Sequence, residues 1–198
     1  MKYTTFKIFV SIIIFSILDF FANIFFLDVL HAPLFFDTIF MMAALFIFGP
    51  AAAFLEYVIY ISIVCVKLSL LYGKTDHVYF YALSALTIIF VTWLFSRRKE
   101  NLQKGVNNTF LYLFTAAVVA GFACSVVSGV ISYFTYNMNH KNWTFDHVIF
   151  AFKGEPFNIL AIAILGRIPI TILDRVITTF AGFGVYKLYL NFKNRGSN

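Results

Sequence analysis

Apolar and polar positions in this chain are segregated into blocks. Long runs of Ile, Leu, Val, Phe and Ala alternate with short stretches that hold most of the Lys, His, Pro and Asn residues. A helix crossing the hydrocarbon core needs roughly 20 apolar residues. On that measure the pattern predicts helices at about 6–29, 34–48, 51–71, 78–95, 110–136 and 168–191. The second run is short, so its helix is expected to begin in the interface, and Gly49-Pro50 breaks it from the third. Between the fifth and sixth runs lies an external loop, 137–167, with an interfacial or re-entrant character. Residues 144–152 fit a short interfacial helix, and 157–166 are apolar but too few to cross alone.

The polar residues inside these runs are ordered. In the last one Thr171, Asp174, Arg175, Thr178 and Gly182 recur at three- and four-residue spacing, so a helix gathers them into one polar, small stripe. In the first, Ser16, Asp19 and Asn23 share a face, and in the third Glu56, Tyr60 and Lys67 do. Glu56 and Lys67 are about 16 Å apart along that helix, too far to pair with one another. The fifth run carries Ala117, Gly121, Ser125 and Gly129, a small-residue ladder that admits a close helix neighbour. The fourth has no charge and is expected to face mainly lipid, with a structural role.

Composition turns the pattern into a class. Of 198 residues 61% are hydrophobic and 12% charged, with mean hydropathy +0.86, which describes an all-α integral membrane protein and a single membrane domain over 1–198. The net charge of +6 does not indicate nucleic acid, because the bases cluster in loops beside apolar runs, where they set topology. Six crossings place Lys2, Lys7, Arg97, Arg98, Lys99, Lys104, Lys187, Lys193 and Arg195 on one side and Lys74, Lys141 and Lys153 on the other. Both termini are therefore expected in the cytoplasm. The first apolar run is too long for a signal-peptide core and lacks a cleavage site after it, so it is expected to remain as the first helix.

No catalytic constellation is visible. His31, His77, His140 and His147 lie in expected outer loops without metal spacing, Cys65 and Cys124 read as small core residues, and no phosphate-binding glycine loop occurs. No metal or cofactor is expected. What stands out is a set of buried ionisable groups, Asp19, Asp37, Glu56, Arg167, Asp174 and Arg175, on several helices. Leaving all of them unpaired in the bilayer would cost on the order of 15 kcal/mol on insertion scales, more than typical net stability. They must pair or line a polar cavity. The candidates for substrate contact are Asn23, Asp37, Trp143, Asn158, Arg167 and Asp174. Glu56 and Arg175 are the candidates for structural ion pairing, Arg175 with Asp37 or Glu56 as its acid. Neighbours on a helix point about 100° apart, so Asp174 is expected to have partners different from those of Arg175, with Asn23 or a ligand donor as candidates.

The stretch FFDTIFMMAALFIFGPAAAFLEYVIYISI resembles the second and third helices of the substrate-binding S components of energy-coupling factor (ECF) transporters, through Asp37, Thr38, Gly49 and Pro50. The closing ILDRVITTFAGFGVYKLY is similar to their last helix, through Asp174 and Arg175. The resemblance implies a six-helix protein of the bacterial cytoplasmic membrane. It would capture a vitamin-like small solute from outside and deliver it with a transmembrane T subunit and ATPase subunits, without being an enzyme itself. The alanine pattern that docks the T subunit on the first helix is absent, since Ser11 and Ser16 are followed four residues on by Phe15 and Phe20, which leaves Ala51–Ala53 or Ala181–Gly184 as substitutes. The alternatives are a membrane sensor or scaffold protein signalling through helix contacts without transport, and an intramembrane enzyme with Asp19 and Asp174 as an acid pair.

Overall fold

The computed structural model describes residues 2–31, 34, 36–73, 77–97, 105–136 and 159–195. Among them the regular structure is entirely helical. The elements are α1 (Lys2–Asn23), continued by a π-helical segment Ile24–Val29; α2 (Ile39–Phe48); α3 (Pro50–Tyr72); a 3₁₀ turn Val78–Tyr81 leading into α4 (Ala82–Ser96); α5 (Val106–Tyr136); α6 (Ile159–Leu165); and α7 (Ile168–Arg195). Among the described residues four stretches are long and apolar enough to cross a bilayer: Thr5–Val29, Pro50–Leu71, Val78–Ser96 and Val106–Thr135. α7 has the length, at 28 residues, but it carries Asp174, Arg175 and Lys187 and is not one of those four.

The second predicted helix, 34–48, is a shorter object. Asp37 and Thr38 form a turn and the helix starts at Ile39, so its 10 residues rise only about 15 Å, half a hydrocarbon core. Its brevity is compatible with a membrane domain because it is enclosed by protein: Met41, Met42, Ala43 and Ala44 are fully buried, and α1, α3, α4 and α7 pack around it. At its end Gly49 takes φ +101°, a region that favours glycine, and Pro50 stands at the first turn of α3, where its missing N–H is no loss. That pair of residues folds α3 directly back against α2.

α5 is the opposite wall, packed against α4, α6 and α7. Its small-residue ladder faces inward: Ala117 and Ser125 are fully buried, a Cβ on Gly121 would lie 2.9 Å from Ile172 Cα, and one on Gly129 would lie 3.0 Å from Ile164 Cα. The ladder therefore seats α6 and α7 of the same chain. On α7, Gly182 plays the same part against α2, since a Cβ there would meet Met42 Cβ at 2.6 Å and the Ile39 carbonyl at 2.8 Å.

The outer surface differs from that of a water-soluble bundle. Phe6, Phe21, Phe122 and Phe134 on α1 and α5 are exposed, whereas Ser16, Asp19, Glu56 and Thr178 are wholly enclosed beside an apolar core. Apolar outer faces with the charges turned inward suit a hydrocarbon solvent. α4 departs from the lipid-facing expectation on one side only: Leu83, Leu86, Phe90 and Leu94 point outward, while Ser84, Ala85, Ile88 and Thr92 are buried. An uncharged helix still has two faces, and hydropathy alone does not tell which is covered.

Gly182→Val is expected to lower the melting midpoint in detergent, by about 1–3 kcal/mol of overpacking, because a Cβ there already meets three atoms within 3.0 Å, two of them backbone. Gly184→Ala, with nothing within 4 Å of the added carbon, is the control and should melt as the parent does.

Candidate functional site

The site begins at the N-terminus of α2. The first N–H groups of a helix have no partner within it, and Thr38 at the cap position gives no side-chain bond to them. The acceptor comes from another helix. Both oxygens of Asp19 on α1 accept from Phe40 N, at 3.0 and 3.1 Å, and Oδ2 also accepts from Met41 N at 2.9 Å. A carboxylate on a helix N-terminus gains from the helix dipole as well as from the hydrogen bonds.

α7 grips the same turn from the other side. Asp174 Oδ1 accepts from Phe36 N at 3.1 Å, and Arg175 Nη1 donates to Thr38 Oγ1 at 2.6 Å. Phe36 has φ +47°, a strained value for a residue with a side chain, and it is held by that bond and by its ring packing 4.1 Å from Phe26. Arg175 Nη2 pairs directly with Asp174 and lies 3.6 Å from Asp37 Oδ1, while the Tyr60 hydroxyl donates to Asp37 Oδ2 at 3.4 Å.

Beyond this turn opens a cavity of about 430 Å³. The end of α1 and its π-helical extension contribute Asn23 and Asp28, and α3 contributes Tyr57, Tyr60 and Lys67. Ser84 and Ile88 of α4 and Cys124 and Ser128 of α5 form the far wall, with Arg167, Thr171, Asp174 and Arg175 completing it. Lys67 Nζ pairs with Asp28 Oδ2 at 2.6 Å, and both side chains are partly exposed. Arg167 Nη2 donates to Ser132 Oγ at 2.6 Å, and that hydroxyl is 2.8 Å from the Tyr81 hydroxyl.

Of the candidates for substrate contact, Asn23, Asp37, Arg167 and Asp174 thus come together at one cavity, from elements far apart in sequence. Trp143 and Asn158 lie outside the described residues, as does the 144–152 segment. Arg175 does reach Asp37, one of its two candidate acids. Asp174 and Arg175 do take different outside partners, Phe36 N for the first and Thr38 with Asp37 for the second, but they also pair with each other, because the guanidinium, on a long flexible arm, bends back onto its neighbour. Asp174 takes Phe36 N and Arg175 in place of Asn23.

Glu56 is the clear correction. Fully buried, it makes no salt bridge among the described residues, and neither carboxyl oxygen has a hydrogen-bond partner. The carboxyl beside it is that of Asp19, and its main-chain oxygen accepts from the Ser16 hydroxyl at 2.9 Å. Arg175, its candidate base, is engaged with two aspartates instead. Tyr57 and Asp28 were not singled out in the sequence. Tyr57 is one aromatic residue among many, and a charge at the end of an apolar run reads as an interface residue. The serine spacing 125, 128, 132 on α5 was a legible signal of a polar face that the small-residue ladder obscured.

Among the described residues no group of three or more His, Cys, Asp or Glu is placed to hold a metal ion. What the cavity offers is hydrogen bonds, opposite charges and aromatic rings for an organic solute. No protein-family model, curated protein or solved structure matches the chain.

Two comparisons test the charge assignments. Arg175→Ala should lower the melting midpoint sharply, by about 3–5 kcal/mol, since it strands the buried Asp174 and the partly buried Asp37, whereas Asp28→Asn at the partly exposed pair should cost about 1 kcal/mol or less. A similar loss for both would contradict the burial described above. Glu56→Gln should hold or raise the midpoint, by up to about 3 kcal/mol, because it replaces a carboxyl without donors by an amide that can donate to Asp19. A fall as large as that of Arg175→Ala would show that Glu56 has a cationic partner.

Proposed function

We propose that the chain is the membrane-embedded solute-capture subunit of an ECF-type importer, binding a vitamin-like small molecule from the outer face and passing it on with a T subunit and ATPase subunits. The observation that carries this reading is the cavity: a 430 Å³ space inside an apolar helical protein, walled by charged groups of both signs and by tyrosines. Such a volume suits a small organic ligand, and polar groups of this number fix orientation. The motif residues behind the resemblance support the same reading, because Asp37, Thr38, Asp174 and Arg175 all stand at that cavity. In this reading the protein crosses the bacterial cytoplasmic membrane six times with both termini inside, binds without hydrolysing ATP, and uses no cofactor. Of the two substitute docking stretches, Ala53 and Gly182 are buried while Ala51 and Gly184 are exposed, so either surface would be narrow.

Purification in mild detergent, followed by mass spectrometry of the extracted small molecules, is expected to yield a stoichiometric solute, with a T subunit and ATPases co-purifying from the native membrane. Repeated failure to find either would count against the assignment. A single cysteine introduced at Thr5 or at Lys193 is expected to escape a membrane-impermeant thiol reagent applied to intact cells, and labelling of either would overturn the termini-inside orientation.

A further inference from the structure

The end of the cavity at the α2 turn holds more acid than the protein neutralises. Asp37 and Asp174 share one guanidinium, that of Arg175. Asp174 is fully engaged, with Phe36 N on one oxygen and Arg175 on the other, and only 1% of its side chain is exposed. Asp37 is held loosely: its distances of 3.6 Å to Arg175 and 3.4 Å from the Tyr60 hydroxyl both exceed the usual 2.7–3.2 Å of a good hydrogen bond. Its side chain keeps 19% of its surface open. Asp37 is therefore the carboxylate that presents itself to an occupant.

Its surroundings specify the occupant further. Tyr57 and Tyr60, with ring centroids 5.5 Å apart, line the same cavity, and aromatic faces attract organic cations. On α4, the Ser84 hydroxyl is buried in the cavity lining and has no hydrogen-bond partner among the described residues. The other cationic groups of the lining have partners of their own. Lys67 pairs with Asp28 at 2.6 Å. Arg167 donates to the Ser132 hydroxyl on α5 at 2.6 Å.

We infer that the cavity takes a small ring-bearing organic cation whose protonated nitrogen pairs with Asp37 against the rings of Tyr57 and Tyr60, with Ser84 free to bond a polar substituent. This rests on the solute-binding reading and names the chemical class of the solute. A volume of 430 Å³ accommodates one or two linked rings.

Three probes of one size and shape separate the classes: benzamidine as the cation, benzamide as the neutral amide and benzoate as the anion. Each is titrated into the purified full-length protein at neutral pH, with calorimetry and thermal shift as readouts. Benzamidine is expected to bind and to raise the melting midpoint, and the other two to do neither. Asp37→Asn should weaken benzamidine at least tenfold, and Tyr57→Leu, a second variant in case the first folds poorly, should weaken it severalfold. Preferential binding of benzoate or benzamide would overturn the cation assignment, as would unchanged benzamidine affinity in a well-folded Asp37→Asn protein. If none of the three binds, the solute extracted from the purified protein decides. A cationic ring compound supports the assignment, an anionic or neutral one overturns it while leaving solute capture intact, and no solute at all removes both.

Discussion

The N-terminus of α2 is the point on which the rest of this protein depends. A ten-residue helix in an apolar interior has no water to satisfy its first N–H groups. Asp19 supplies the acceptors from α1, while Asp174 and Arg175 fasten the preceding turn from α7. Three segments distant in sequence are thereby tied at one place by charges that would each be costly alone. The energetic logic is mutual, since a carboxylate is tolerable in that interior because helix N–H groups meet it, and those N–H groups are tolerable because of the carboxylate.

The same knot builds the cavity. By spending Asp19 on the backbone and Asp174 on Phe36 and Arg175, the structure leaves Asp37 only partly compensated and turned toward open space. The three acids sit close to one turn but differ in what each one touches, two holding backbone or guanidinium and one facing the cavity. Glu56 stands outside this division. It is enclosed beside Asp19 and has no hydrogen-bond donor, and the ion-pair network that organises its neighbours passes it by.

How much of this was legible beforehand follows from the physics of each signal. Helix positions came through well because apolar length and the Gly49-Pro50 break are local properties; the last helix was expected at 168–191 and is found at Ile168–Arg195. The polar stripe of α7 was legible for the same reason, since burial of Asp174, Arg175, Thr178 and Gly182 follows from helical periodicity. Partners were much less so. Whether Arg175 meets Asp37 or Glu56 depends on how far each helix is shifted along its neighbour, and no periodicity encodes that shift. The start of α2 was misjudged because the apolar residues from Leu34 onward have the hydropathy of a helix, whereas the turn at Asp37 and Thr38 is fixed by contacts from α1 and α7. The inward face of α4 was missed because an uncharged helix gives no sign of which side is covered.

One hydrogen atom, the side chain of Gly182, sets a dimension of the site two helical turns away. With no side-chain layer between α7 and the Ile39–Met42 stretch of α2, the two backbones rest against each other and have no soft material to compress. Whatever tilts α7 must carry the beginning of α2 with it, and Arg175, Thr38 and Asp37 travel as one rigid jaw. Any change in the width of the cavity then falls to the facing wall of α3 and α4, so the acid and its guanidinium keep their place while Tyr57, Tyr60 and Ser84 shift around them.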